Sequence, residues 1–138
     1  MSNRTFTIVK PDSVRKGNFG KIISRLESEG FRILGLKKTS LSRAQAEGFY
    51  AVHRERPFFS GLVDYMTSGP VYVAALERAD AVPTLRKVMG ATDPAKADAG
   101  TIRKDFGESI EQNAIHGSDS DENANIEISF FFAESELL

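Results

Sequence analysis

The chain has 138 residues, no cysteine, two histidines and a formal net charge of −1. That length fits one compact domain, and the absence of cysteine excludes disulfides and thiolate metal sites. A near-neutral charge is a poor electrostatic match for nucleic acid, so no obligate nucleic-acid partner is expected. The sequence shows no signal peptide, and no apolar run approaches the ~20 residues that a membrane-spanning helix needs. We therefore expect a cytoplasmic protein without a membrane partner.

The first third of the chain predicts a strand, a helix and a second strand. Residues 5–10 are rich in β-forming residues and end at Pro11, which removes a ladder donor, so a loop is expected after the strand. Apolar residues at helical spacing lead to Gly30, a helix-ending residue. Residues 31–40 alternate imperfectly and follow that glycine, which favours a second strand.

The middle of the chain predicts helices on both sides of a third strand. Ser42 and Gln45 have the spacing of a capping box that opens a short helix. A second short helix is expected after Pro57. Residues 71–77 are apolar enough for a central strand, and the spacing of apolar residues predicts another helix over residues 80–90.

The last third is less regular. Residues 90–113 show no sustained period and predict a long irregular loop, and residues 114–116 predict a short fourth strand. Periodicity leaves the ending open between strand and helix. Ser120 as an N-cap, followed by the acidic residues Asp121 and Glu122, favours a helix.

This order of elements predicts the fold class. Strand, helix, strand, helices, strand, helix, short strand and helix correspond to an α+β sandwich of βαββαβ type, the ferredoxin-like arrangement. We expect a four-stranded antiparallel sheet with helices on its faces and a long loop after the third main helix.

One segment concentrates chemical groups. Asn113-Ala-Ile-His-Gly-Ser-Asp-Ser120 brings an imidazole, a glycine, two hydroxyls and a carboxylate together. His116 is a candidate nucleophile, because an unperturbed imidazole is largely neutral at cellular pH. The alternative is turn chemistry ahead of a helix, with Ser118 or Ser120 as the N-cap.

Several common sites are missing from the sequence. Neither Gly-x-x-x-x-Gly-Lys-Ser/Thr nor Gly-x-Gly-x-x-Gly occurs, so phosphate binding would depend on side chains. Two histidines 63 positions apart, with no cysteine, disfavour a zinc site. The Gly-x-Ser-x-Gly motif does not occur either, which disfavours a serine hydrolase.

Six segments in order carry a resemblance to a known family. They are Lys10-Pro-Asp12, Arg56-Pro-Phe-Phe-x-Gly61, Ser68-Gly-Pro70, Met89-Gly-Ala-Thr92, Gly100-Thr-Ile-Arg103 and Asn113–Ser120. The chain closely resembles nucleoside diphosphate kinases over residues 5–127. The resemblance implies one kinase domain over residues 1–138. It also implies that the γ-phosphoryl group of a nucleoside triphosphate, usually ATP, passes to a nucleoside diphosphate by a ping-pong mechanism that maintains nucleoside and deoxynucleoside triphosphate pools.

The resemblance also implies roles for individual residues. His116 would be the nucleophile, phosphorylated on its pros nitrogen, Glu127 would orient it, and Lys10 and Tyr50 would complete the catalytic group. Nucleotide contacts would come from Lys10, His53, Phe58, Leu62, Arg86, Thr92, Arg103, Ile110 and Asn113. Mg²⁺ would arrive with the nucleotide phosphates, contacting Asp119 through water. The family forms homo-oligomers, and a tetramer is favoured over a hexamer.

Other interpretations compete with this one. The resemblance implies that Phe58 stacks on the base; the alternative is a core phenylalanine beside Phe59. A non-catalytic α+β module that binds nucleotide or nucleic acid would use the same cations and the same phenylalanine. A small regulatory domain that binds a metabolite explains the size but leaves the His116 segment without a role.

Overall fold

A computed structural model describes residues 3–138 and contains a four-stranded antiparallel sheet. The strands are β1 (Arg4–Val9), β2 (Arg32–Thr39), β3 (Val71–Glu77) and β4 (Ile115–Gly117). Their order across the sheet is β2-β3-β1-β4, and every neighbouring pair is antiparallel. The predicted α+β fold, with its four-stranded antiparallel sheet, is therefore confirmed.

Seven α-helices occur in the described part of the chain, with three short 3₁₀ helices at Ala51–His53, Pro94–Lys96 and Glu134–Glu136. The α-helices are α1 (Pro11–Arg15), α2 (Phe19–Ser28), α3 (Arg43–Phe49), α4 (Phe59–Met66), α5 (Ala81–Met89), α6 (Ile102–Phe106) and α7 (Asp121–Phe131). Across residues 3–138, no helix is long and apolar enough to span a membrane.

Apolar side chains fill both faces of the sheet, because strand residues alternate between the faces. On one face Phe6 and Ile8 of β1 belong to a cluster with residues of α3, α4 and α7. On the other face Val9 and Ile115 belong to a cluster with residues of α2, α5 and α6. Helices therefore cover both faces of the sheet, as the sandwich prediction requires.

Two details of the prediction were wrong. The loop expected after β1 starts with helix α1, whose first residue is Pro11; proline is tolerated there because the first-turn N–H has no intrahelical partner. The loop expected over residues 90–113 contains the Pro94–Lys96 3₁₀ helix and helix α6, which Thr101 caps by accepting from the Lys104 N–H. Elements this short have too few turns to produce a recognisable period.

Two ambiguous patterns have structural explanations. The imperfect alternation of β2 reflects a register shift between Ile33 and Gly35 in its pairing with β3. The C-terminal segment is helical, as the Ser120 cap predicts: the Ser120 hydroxyl oxygen accepts from the Asn123 N–H at 3.0 Å. The local cap therefore indicated correctly that this segment is a helix, whereas periodicity alone fitted both a strand and a helix.

Candidate active site

A cavity of about 810 Å³ opens beside the short strand β4. All thirteen residues to which the resemblance assigns a role line this cavity. They come from α4, α5, α6, β4 and α7, from the Ala51–His53 3₁₀ helix and from the segments between elements. The fold therefore brings together side chains that are more than a hundred positions apart in the sequence.

His116 lies on β4, opposite Ile8 of β1. Its Nε2 is 2.9 Å from Oε1 of Glu127, and the same oxygen accepts a hydrogen bond of 2.8 Å from the Ser118 hydroxyl. Because a carboxylate only accepts, this contact assigns the ring proton to Nε2 and leaves the lone pair on Nδ1. In residues 3–138 no hydrogen bond to Nδ1 is found. The imidazole therefore has one anchored and one unengaged nitrogen.

Helix α7 positions Glu127. The Ser120 cap starts the helix, and Glu127 lies two turns along it, on the side that faces β4. From the sequence alone, the segment around His116 was interpreted either as a catalytic segment or as a helix cap. In the structure one segment supplies both, because the cap determines where the helix that carries Glu127 begins.

Aromatic rings surround the imidazole. The Phe49 ring centroid is 5.5 Å from that of His116, and those of Phe6 and Tyr50 are each 6.3 Å away. The Tyr50 hydroxyl is buried and has no hydrogen-bond partner in the described residues. Burial, and then the charge of Glu127, raise the pKa of Tyr50, so its hydroxyl stays protonated and available as a donor.

Lys10 directly follows β1 and lines the cavity. Its Nζ donates to Asn113 Oδ1 at 2.7 Å, and Asn113 Nδ2 donates to the Thr92 carbonyl at 3.0 Å. Burial and the nearby Arg103 lower the pKa of Lys10 to about 8. The ammonium is therefore a poorly solvated cation, which an anionic ligand would stabilise.

Arg103 and Arg86 supply two further cations. The Arg103 guanidinium donates to the Ile115 carbonyl at 2.8 Å and to the Gly90 carbonyl at 3.3 Å. Its Nε is buried without a partner in residues 3–138. Burial, and then the charge of Arg86, lower the pKa of Arg103 to about 10. Two arginines and a lysine thus line the same cavity, a typical arrangement for binding phosphate oxygens.

Apolar side chains flank the cavity mouth. Phe58 is 52% exposed and Ile110 is 61% exposed, and the rings of Phe58 and His53 lie 5.3 Å apart. This exposure excludes the alternative that Phe58 is a core residue. Leu62 is partly buried against the core while also lining the cavity. The mouth therefore offers apolar surface for a flat ring.

Asp119 lies exposed at the cavity rim, where its Oδ1 accepts from Asn123 Nδ2 at 2.6 Å. The described residues contain no group of three or more His, Cys, Asp or Glu side chains that could hold a metal ion. A single carboxylate suits an outer contact to a cation that carries its own water and phosphate ligands.

Sequence reasoning missed some residues of this site. Ser118 was considered only as a helix cap, whereas its hydroxyl donates to Glu127. Phe49 was not singled out, although its ring is the one nearest to His116. The signal for Ser118 lay within the Asn113–Ser120 segment, but Phe49 has no local signal beyond an apolar residue on a short helix.

Comparisons with known proteins agree with this geometry. A family model for nucleoside diphosphate kinase matches residues 3–137. A nucleoside diphosphate kinase of Geobacter sulfurreducens is 58% identical over 135 residues, covering 98% of each chain. One of Campylobacter jejuni is 60% identical over 134 residues, covering 97% of this chain and 98% of the relative.

Solved structures of nucleoside diphosphate kinases superimpose closely on this chain. The nucleoside diphosphate kinase of Aquifex aeolicus superimposes with a TM-score of 0.97 at 46% identity, covering all of both chains. The Halobacterium salinarum enzyme in complex with CDP superimposes with a TM-score of 0.95 at 44% identity, covering all of this chain and 92% of that one.

Cations gathered around an anchored imidazole, on this fold, define a phosphotransferase. The chain belongs to the nucleoside diphosphate kinase family. It is an enzyme that transfers phosphoryl groups between nucleoside triphosphates and nucleoside diphosphates. The alternatives of a non-catalytic binding module and of a regulatory domain are therefore wrong.

Proposed function

We propose that transfer proceeds by a ping-pong mechanism through a phosphohistidine at Nδ1, the pros nitrogen, of His116. The observation that carries this proposal is the hydrogen bond of 2.9 Å between Nε2 and Glu127, which leaves Nδ1 unprotonated inside a cavity that also holds Lys10 and Arg103. Such a pairing of nucleophile and orienting carboxylate is the general signature of covalent catalysis.

In the first half-reaction Nδ1 attacks the γ-phosphorus of a nucleoside triphosphate, usually ATP. The N–P bond forms as the bond from the γ-phosphorus to the bridging oxygen breaks, and the nucleoside diphosphate leaves with that electron pair. The ring becomes positively charged, and Glu127, held by Ser118, stabilises it through Nε2. In the second half-reaction a terminal oxygen of another nucleoside diphosphate attacks the same phosphorus and breaks the N–P bond.

The cations assist because phosphoryl transfer depends mainly on positioning and on charge stabilisation. Arg86, Arg103 and Thr92 hold phosphate oxygens, and the Arg103 Nε, which is buried without a partner in residues 3–138, is a donor suited to that contact. Lys10 and Asn113 reach both phosphate and ribose. The Tyr50 hydroxyl, protonated and without a partner in the described part of the chain, donates near the transferred group.

The base and the outer phosphates lie toward the cavity mouth. Phe58 stacks on the base, with Leu62 and Ile110 packing beside it, and His53 contacts a phosphate. Stacking of this kind accepts every base, because each has a π-face, and it contributes about 1–3 kcal/mol by analogy with single-stranded nucleic acid. This tolerance suits an enzyme that exchanges many nucleotides and so maintains nucleoside and deoxynucleoside triphosphate pools.

Mg²⁺ accompanies the nucleotide in this proposal. The exposed Asp119 carboxylate at the rim fits a contact through water, and family members generally use the Mg²⁺ nucleotide. When bound, the ion supplies charge neutralisation on the β- and γ-phosphates. The chain's own residues orient the phosphates and the imidazole.

The proposal extends to the whole molecule. We infer that residues 1–138 form one kinase domain, because a single sheet carries both core clusters. We also infer that the protein is cytoplasmic and assembles as a homotetramer, with a hexamer as the alternative.

Incubation with γ-labelled ATP and magnesium tests the mechanism. Histidine phosphorylation predicts an acid-labile, alkali-stable phosphoprotein that releases its label as a triphosphate when GDP or CDP is added. His116→Ala is expected to abolish labelling, whereas His53→Ala, which removes the chain's other histidine, still takes the label. Labelling that persists in His116→Ala, or no labelling of the unmodified protein, would contradict the mechanism.

A further inference from the structure

In the Lys10-Pro-Asp12 motif, the proposed function gives a role to Lys10 but none to the carboxylate of Asp12. Asp12 is 1% exposed, and an ionised carboxylate so deeply buried is costly unless it is hydrogen-bonded. Its Oδ1 accepts from the Tyr65 hydroxyl, and its Oδ2 accepts from the Ala114 N–H at 3.1 Å. The carboxylate therefore joins α1 to α4 and to the residue two positions before His116.

The contact with Tyr65 runs in both directions. The Asp12 N–H, in the first turn of α1 where the helix offers it no partner, donates to the Tyr65 hydroxyl oxygen at 2.9 Å. That hydroxyl in turn donates to the Asp12 carboxylate. Burial and the Asp12 contact raise the pKa of Tyr65, so it remains a donor. Tyr65 thus holds both the backbone and the side chain of Asp12.

Ala114 needs this support because its backbone is strained. Its φ is +76°, and apart from Asp80 it is the only non-glycine residue in the described chain with positive φ. The Ile115 N–H donates to the Asn113 carbonyl at 2.9 Å, so Ala114 is the centre of a γ-turn of the rare, positive-φ form. A residue in such a conformation persists only when its surroundings hold it there.

Both backbone polar groups of Ala114, the central residue of the turn, are bonded to the motif that follows β1. The Ala114 carbonyl accepts from the Lys10 N–H at 2.9 Å, and the Ala114 N–H donates to Asp12. On one side of the turn Asn113 bonds Lys10 Nζ, and on the other side His116 faces the same cavity. The turn therefore sets how Lys10 and Asn113 are oriented relative to the imidazole.

We propose that Asp12 is a positioning residue for phosphoryl transfer: together with Tyr65 it holds the strained turn at Ala114 and so fixes Lys10 and Asn113 relative to His116. This inference rests on the proposed function, in which His116 is the nucleophile. Asp12 does not itself touch the reacting atoms.

The same carboxylate acts on the charge of Lys10. Burial and Arg103 lower the pKa of Lys10, whereas Asp12 and Glu111 raise it. Without the charge of Asp12, Lys10 would lose its proton at a lower pH. An electrostatic effect and a geometric effect thus originate from one buried residue, and two variants separate them.

Asp12→Asn keeps the size of the side chain but removes its charge, and Tyr65→Phe removes only the hydroxyl that holds it. A misplacement of reacting groups by 1 Å costs about 10²-fold in rate, so both variants are expected to slow phosphorylation of His116 by about that factor in rapid-quench labelling with γ-labelled ATP. In Asp12→Asn the alkaline fall of the pH profile moves to lower pH. In Tyr65→Phe it stays where it is.

Two controls distinguish positioning from a general loss of stability. Thr67→Val removes a hydrogen bond of 2.8 Å to the Val63 carbonyl at the end of α4, the helix that carries Tyr65. This variant is expected to keep the wild-type rate. Ala114→Gly, added to Asp12→Asn, is expected to recover part of the lost rate because glycine adopts positive φ without strain. Each variant is assayed at a temperature where circular dichroism finds it folded.

Wild-type rates in Tyr65→Phe and in folded Asp12→Asn would overturn the inference, and so would an equal loss in Thr67→Val. If Asp12→Asn does not fold, Tyr65→Phe decides alone. Labelling of the unmodified protein reports on the proposed function independently. An unlabelled wild type would therefore refute the mechanism, whereas a labelled wild type with unaffected variants would refute only the role of Asp12.

Discussion

At the scale of single residues, the site depends on polar groups that the fold has partly removed from water. Lys10 is 7% exposed, and its ammonium has one hydrogen-bond partner among the described side chains, Asn113. Such a cation interacts more strongly with an anion than a surface lysine does, because little water competes. The same desolvation lowers the pKa of Lys10 from its usual range to about 8.

The lowered pKa of Lys10 predicts an alkaline limit to activity. Lys10 is charged below a pKa of about 8, so kcat/KM should fall above that pH as the cation is lost. Arg103, with a pKa of about 10, is still protonated at the pH where Lys10 titrates, so the first loss of charge belongs to Lys10. Initial rates measured in a series of buffers from pH 6.5 to 9.5, at constant magnesium and nucleotide concentrations, test this prediction. The buffers span about 1.5 pH units on each side of the Lys10 pKa.

Lys10→Arg is the matched variant, because arginine keeps its charge over the whole interval. The larger side chain is expected to reduce the rate at every pH, but the fall near pH 8 should disappear from the profile. An unchanged fall in Lys10→Arg would assign the titration to another group.

At the scale of elements, short helices and turns carry the catalytic groups. Helix α7 is the clearest case, because Ser120 caps its first turn and Glu127 faces His116 from its second. Asp121 and Glu122 in the first turn add a favourable interaction with the helix dipole. Capping and catalysis are therefore linked through one helix.

Removing the cap of α7 is expected to destabilise the protein. Ser120→Ala leaves the Asn123 N–H without its acceptor and should lower the free energy of unfolding by ~1 kcal/mol. Urea denaturation followed by circular dichroism measures the change. Ser120→Asn retains a good capping group and should remain close to the wild type, so an equal loss in both variants would be inconsistent with capping.

At the scale of the whole molecule, the sheet order decides where the site lies. Placing β1 between β3 and β4 brings the end of β1, with Lys10, beside the residues that precede β4. Helices from both faces then close around the end of that short strand. The opposite edge of the sheet, β2, lies away from the cavity and carries Leu36, a side chain that is 43% exposed.

The predicted homotetramer can be tested at this scale. Light scattering coupled to size exclusion is expected to give a molar mass four times that of the chain, and the exposed edge strand β2 offers one surface for association. Leu36→Lys, which places a charge on that edge, should shift the mass toward smaller species. A mass of six chains would favour the hexamer, and a mass of one chain would contradict assembly.

Much of the fold was predictable from local patterns. The caps at Ser42 and Ser120 and the helix end near Gly30 depend on residues within a few positions of each other, so they can be read without tertiary contacts. Apart from His116, which local chemistry already marked as a candidate nucleophile, the assigned site residues were available only through resemblance, because composition alone makes Lys10 or Arg103 an ordinary surface charge. The structure places them in one cavity, while their individual roles stay predictions.

The sequence by itself determined the order of the main elements and, through its motifs, the family. Both can be inferred from short segments, because spacing and residue type within a segment are sufficient to recognise an element or a motif. Only the tertiary structure decided that residues 11–15 form a helix, that Ser118 and Phe49 join the site, and that Asp12 and Tyr65 hold the turn at Ala114. The physical reason is distance along the chain: the Asp12 carboxylate meets an N–H 102 positions away, and no local pattern encodes such a contact.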